Sequence, residues 1–171
     1  GYEATYYLGS DSLGRDVLSR ILYGAQIALL VALIASTATC LIGATLGVLA
    51  GYFGGWVDLV ISRLVDIWMA FPPVLFAILL IAVLGTGLTS IIIAIIVIDW
   101  TRFCRVIRAE TMSQSAMDYV ASAQAAGRAR FGIMIKEIVP NVLPTIVVLL
   151  TLEMGIAVIV EAILSLSLIH I

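Results

Sequence analysis

The chain has 171 residues, 63% of them hydrophobic and only 12% charged, with a formal net charge of −2. A soluble domain carries about 45–50% apolar and roughly 25% charged residues, so this composition belongs to a lipid bilayer. The small net charge implies neither nucleic acid nor an acidic partner, and one histidine with two distant cysteines, Cys40 and Cys104, is too few ligands for a conventional zinc site.

A membrane-spanning helix needs about 20 mostly apolar residues to cross roughly 30 Å of hydrocarbon. No charge falls between Arg20 and Asp58, so a first span is expected within 25–51. Its recurring small residues (Ala35, Ser36, Ala38, Gly43, Ala44, Gly47) imply close packing against other helices. Residues 52–66 read as a loop. The second uncharged run is "IWMAFPPVLFAILLIAVLG", 67–85, whose first turns Pro72 and Pro73 should bend or break. "GTG" at 85–87 then turns the chain. A third span starts near Leu88 and runs toward Trp100 or a little beyond, and a fourth covers 141–165. Pro140 and Pro144 sit near its start, where proline is best tolerated. The expected fold is an all-α, polytopic membrane bundle with four spans.

Of nine Lys and Arg residues, Arg102, Arg105, Arg108, Arg128, Arg130 and Lys136 lie between the third and fourth spans. The positive-inside rule puts that connection in the cytoplasm and residues 1–24 and 85–87 outside. Arg63 agrees; Arg15 and Arg20 oppose.

Asp99, Glu153 and Glu161 are the acids in or near the spans, and an ionisable residue at that depth is a functional candidate. Asp99 either pairs with Arg102, three residues on along one helix face, lies close enough to the cytoplasmic boundary to stay wet, or lines a translocation path. Glu153 has no basic residue within twelve positions in sequence. It either lines the path, where it would contact an amino terminus or a metal cation, or is a protonated, hydrogen-bonded core residue. An intramembrane protease is disfavoured, because Asp99 lacks a partner aspartate in a Gly-x-Gly-Asp setting. An ion-coupled secondary transporter is the remaining alternative.

The cytoplasmic connection, 109–140, contains "DYVASAQAAGRARFGIMIKEIVPN" (118–141). Seven of the nine residues from Ala121 to Ala129 are Ala, Ser or Gly, and little in 110–126 opposes a helix. Gly127 is its expected terminator. Such a helix, anchored by Tyr119 and Val120 and nearly free of bulk, suits a groove on a partner protein. It lacks the broad apolar face that a lipid-surface helix requires.

This passage resembles the "EAA" loop of permease subunits of ATP-binding-cassette importers. "ASA" at 121–123 stands where Glu-Ala-Ala is usual, Gly127 matches the family glycine, and Ile138, Val139 and Pro140 match the closing Ile-x-x-Pro or Ile-Leu-Pro group. Ala121 replaces the usual acid, whose contact is then missing or supplied by Asp118. "LGSDSLGRDVLSRILYGAQIAL" (8–29), "GYFGGWVDLVISRLVDIWMAFP" (51–72), "VLGTGLTSIIIAI" (83–95) and "VEAILS" (160–165) resemble the dipeptide, oligopeptide and nickel branch. The resemblance implies that Asp118, Tyr119, Ala121, Ser122, Ala123, Gly127, Ile138 and Pro140 belong to a coupling loop docked on a cytoplasmic ATPase. It also implies a second permease subunit, an external substrate-binding protein and a place in the inner membrane of a bacterium or archaeon. The expected cargo is di- or oligopeptides, with nickel or a chelated metal as the alternative. No Gly-x-x-x-x-G-K-[Ser/Thr] phosphate loop occurs in the chain, so the expected role is a permease and not an enzyme, with no cofactor. Relatives have about six spans, so 1–165 reads as the second to fifth of them. "LSLIHI" (166–171) reads as a translated sequencing-adapter end, which leaves His170 without functional meaning.

Overall fold

The computed structural model describes residues 7–169 apart from 12 and 86, and of 164–169 only the course of the backbone. Thr86 in the expected turn, and His170 and Ile171 in the expected tail, lie outside the described residues. Among the described residues there are seven α-helices, one π-helical turn and no strand.

Asp16 starts α1 (Val17–Phe53), its carboxylate accepting from the Leu18 and Ser19 N–H groups, both at 3.2 Å. These donors belong to a first turn that has no helical partners for them. Gly54, at φ +63°, ends α1 and donates to the Ala50 carbonyl at 3.1 Å. The chain reverses there into α2 (Gly55–Met69). The expected loop at 52–66 is therefore mostly helix. Its charges misled the reading, because Asp58 is paired with Arg108 of a later helix in a partly buried contact and Asp66 with Arg105 of the same helix at the surface.

Pro72 and Pro73 break the next run as expected. Pro72 is extended, at ψ 122°, and Pro73 opens α3 (Pro73–Leu84) at an angle of 85° to α2. A residue before proline is driven out of the helical region, whereas proline itself fits a first helical position. Next comes α4 (Leu88–Ser115), which runs well past the expected end near Trp100. A turn at Ala116–Met117 leads to α5 (Asp118–Ala125), so 110–126 is two helices and not one. Helix propensity alone favours continuity; burial of Val120 overrides it. A short α6 (Arg130–Ile133), the π turn (Met134–Ile138) and α7 (Val139–Ile169) complete the chain.

By length and apolar content α1 and the stretch Arg130–Ile163 can each cross a membrane, and α2 with α3 makes a bent third. The charges Asp99, Arg102 and Arg105 keep α4 outside that count, although it packs centrally. The expected first and fourth spans thus correspond to α1 and Arg130–Ile163 and the second to the bent pair α2–α3, while the expected third falls within α4, which does not qualify by length and apolar content.

Helices α1 and α4 meet through glycines spaced four apart. A Cβ added to Gly43 would lie 2.6 Å from the Trp100 carbonyl oxygen. One on Gly47 would lie 2.8 Å from that of Cys104, and one on Gly51 2.6 Å from that of Arg108. Small residues at this spacing let helix backbones approach closely. Partner numbers rise together, so the two helices run parallel. In contrast α7 is antiparallel: Val142 packs in one cluster with Val48 and Ile107, and Ala157 in another with Ala35 and Ala94. These directions agree with four alternating crossings.

Candidate functional site

The small-residue helix α5 has two sides. Val120 is 1% exposed and packs in the cluster that also holds Ile107, Ile133 and Ile138, with Tyr119 and Ala123 against it. The Tyr119 hydroxyl donates to Gln114 Oε1 at 2.9 Å, and burial pushes its pKa up, so the phenol stays protonated. Opposite them Asp118, Ala121, Ser122 and Ala125 are exposed. Their spacing of three and four residues places them on one face, and Ser122 Oγ turns back to the Asp118 carbonyl at 2.8 Å. The outward surface is therefore one carboxylate on an otherwise low, smooth strip.

Gly127 terminates this helix at φ +74°. Its N–H donates to the Gln124 carbonyl at 2.9 Å and that of Arg128 to the Ala123 carbonyl at 3.2 Å, the paired bonds of a Schellman motif. Arg128 pairs with Glu137 across the turn. Ile138 is fully buried and Pro140 exposed. Thus the structure brings Tyr119, Ala123 and Ile138 into the chain's own core and leaves Asp118, Ala121, Ser122 and Pro140 at the surface.

Pro140 also accounts for the π turn before it. Lacking an N–H, it cannot bond the Lys136 carbonyl, and its ring crowds that position. The ladder slips, so Val139 N–H bonds Met134, five residues back. Asn141 Nδ2 donates to the Glu137 carbonyl at 2.7 Å.

The arginines of α4 are tied to four acids, one on α4 itself and three on other helices. Arg108 makes a two-pronged bond to Asp58 of α2, one prong at 2.6 Å, and Arg105 reaches Asp66 at 3.2 Å. Arg102 bonds Asp99 at 3.2 Å, as its spacing predicts, and Glu153 of α7 at 2.6 Å. Glu153, 2% exposed, thus has a cationic partner 51 positions away, and sequence proximity concealed it. Among the described residues its Oε1 has no hydrogen-bond donor.

Buried small-residue packing, a bent span and charges satisfied between helices define a multi-pass, all-α membrane protein. Residues 43–169 match the family described as "Binding-protein-dependent transport system inner membrane component", and the chain belongs to that family. It is 39% identical over 165 residues to a dipeptide transport system permease protein, DppC, of Alkalihalophilus pseudofirmus, covering 96% of this chain and 54% of that one. It is 36% identical over 165 residues to a glutathione transport system permease protein, GsiD, of Pectobacterium atrosepticum, covering 96% and 55%. The chain spans about half the length of these relatives. Its fold matches a chain of the MetNI methionine ABC transporter, solved in inward-facing conformations. The TM-score is 0.73 over 84% of this chain and 72% of that one, at 19% identity.

Proposed function

We propose that the chain is the transmembrane part of a permease subunit of an importer in the inner membrane, driven by ATP hydrolysis in a partner protein and carrying di- or oligopeptides. The observation that carries this reading is the outward face of α5. A strip of Asp118, Ala121, Ser122 and Ala125, stapled to the bundle by Val120, is a projecting surface with room for a close-fitting groove. Motion received there passes through Val120 to Ile133 and Ile138 at the foot of α7. Peptide cargo is supported by relatives whose names specify dipeptide and glutathione. A second permease subunit and an external binding protein complete the pathway, with alternating access by rocking of the spans.

The test is reconstitution of the full-length permease with its sister subunit, ATPases and binding protein in liposomes. ATP-dependent uptake of labelled dialanine is expected. Uptake of Ni²⁺ without uptake of dipeptide would move the assignment to metal transport, and uptake driven by an ion gradient without ATP would overturn the importer reading.

A further inference from the structure

The break between α2 and α3 lies beside the buried charges. A cavity of 210 Å³ opens there, lined by Trp68, Phe71, Phe76, Asp99, Thr101 and Arg102 among others. Asp99 is eleven residues beyond Leu88, roughly 16 Å along the helix at 1.5 Å per residue, which is near the middle of about 30 Å of hydrocarbon. Irregular backbone at such depth is tolerated where it is buried in protein or lines a polar cavity, and interrupted helices near the midplane commonly form transporter substrate sites.

The walls are aromatic. Trp68 and Phe76 meet edge-on with ring centres 5.6 Å apart, and Phe71 stacks on Phe76 at 5.8 Å. The Trp68 indole is held in place by donating to the Val97 carbonyl. Asp99 and Glu153 converge on the guanidinium of Arg102. Among the described residues no donor reaches Glu153 Oε1, while the Asp99 side chain is 19% exposed and can be reached from the cavity. A carboxylate beside aromatic faces is the chemistry that recognises an organic cation.

We propose that this cavity is a station on the translocation path that takes the ammonium group of a peptide. Asp99 is the contact residue, Trp68, Phe71 and Phe76 form the wall, and Glu153 is a positioning residue that engages Arg102. The proposal rests on the permease reading above and assigns that path its charge preference.

The test uses the full-length importer in liposomes with Cys40→Ala, Cys104→Ala and a single reporter, Phe71→Cys. Reaction rates with a trimethylammonium-bearing and a sulfonate-bearing methanethiosulfonate reagent are each normalised to those with a free thiol in solution. The cationic reagent is expected to be favoured about tenfold, the preference disappearing with Asp99→Asn and returning with Asp99→Glu. Dialanine should slow the labelling. Without the Phe71 reporter, Asp99→Asn should raise KM for dialanine uptake about tenfold with little change in maximal rate. An unreactive Phe71→Cys, a preference that survives Asp99→Asn, or no protection by a dipeptide that is transported overturns the proposal. Absence of dipeptide uptake in the unsubstituted importer overturns the peptide reading, and with it a peptide as the source of the ammonium.

Discussion

At the scale of single residues, the orientation of α5 decides what each side chain can do. Composition alone makes Ala121, Ala123 and Ala125 equivalent, but Val120 sets the phase, turning Ala123 inward and Ala121 and Ala125 out. Ala121→Trp and Ala125→Trp should therefore weaken binding of the ATPase while leaving the bundle folded. Overpacking a fitted site costs about 1–3 kcal/mol, roughly tenfold or more in association, and co-purification of the ATPase with each variant measures it. Ala123→Trp should instead lower the melting temperature of the permease itself. Arg128→Ala removes only an exposed pair with Glu137, worth about 1 kcal/mol or less. Before α1, Asp11 is held down to about 2 from 3.8, chiefly by the backbone N–H of Arg15, with that of Leu13 and the Arg15 guanidinium assisting. A depressed carboxylate stabilises its turn above the unfolded value and ceases to do so as pH falls through the folded one. Amide protection at Leu13 and Arg15 should thus be full above about pH 4 and be lost toward pH 2. Protection that is flat across that window would show that Asp11 does not hold the turn.

Among elements, the pairing of α1 with α4 was half visible in the sequence. Small residues at 43 and 47 announced a close neighbour, but which helix, and in which direction, depends on contacts sixty positions away. Gly47→Val should force α1 and α4 apart and destabilise the purified permease by about 1–3 kcal/mol. Gly24→Ala, in the same helix with nothing within 4 Å of an added Cβ, should be neutral or stabilising by under about 1 kcal/mol. Unfolding midpoints of the two variants give the comparison, and equal losses would mean that the glycines do not set the spacing. Helix α2 was misread for a related reason. Counting uncharged residues finds spans whose charges are absent, and misses one whose Asp58 and Asp66 are paired. The break at Pro72–Pro73 was legible because proline acts locally; the break at Ala116–Met117 was not, because a distant core imposes it.

For the whole molecule, parallel α1 and α4 with antiparallel α7 require the starts of α1 and α4 to share one side of the membrane. Single cysteines replacing Tyr23 and Leu88, both exposed, should label from outside intact spheroplasts. Those replacing Ser113 and Gln124, also exposed, should label only after permeabilisation. Equal labelling of Leu88 and Ser113 positions would remove the orientation drawn from the basic residues. The alternation of spans could be read from hydropathy and charge. Asp99 and Glu153 stood out in the sequence as candidates for a translocation path, but the cavity beside Asp99 did not, since its walls come from α2, α3 and α4, and neither did the bond from Arg102 to Glu153 of α7.

The arginines of α4 also impose an order on biosynthesis. A charge at the bilayer centre costs about 2.5–3.5 kcal/mol during insertion. Asp58 and Asp66 leave the ribosome before Arg105 and Arg108, so two of the three arginines enter the membrane with their partners already made. Arg102 has only Asp99 until Glu153 is synthesised. The arrival of α7 therefore completes the partners of Arg102, and a nascent chain stopped short of Glu153 should leave α4 more open to added protease than a longer one does.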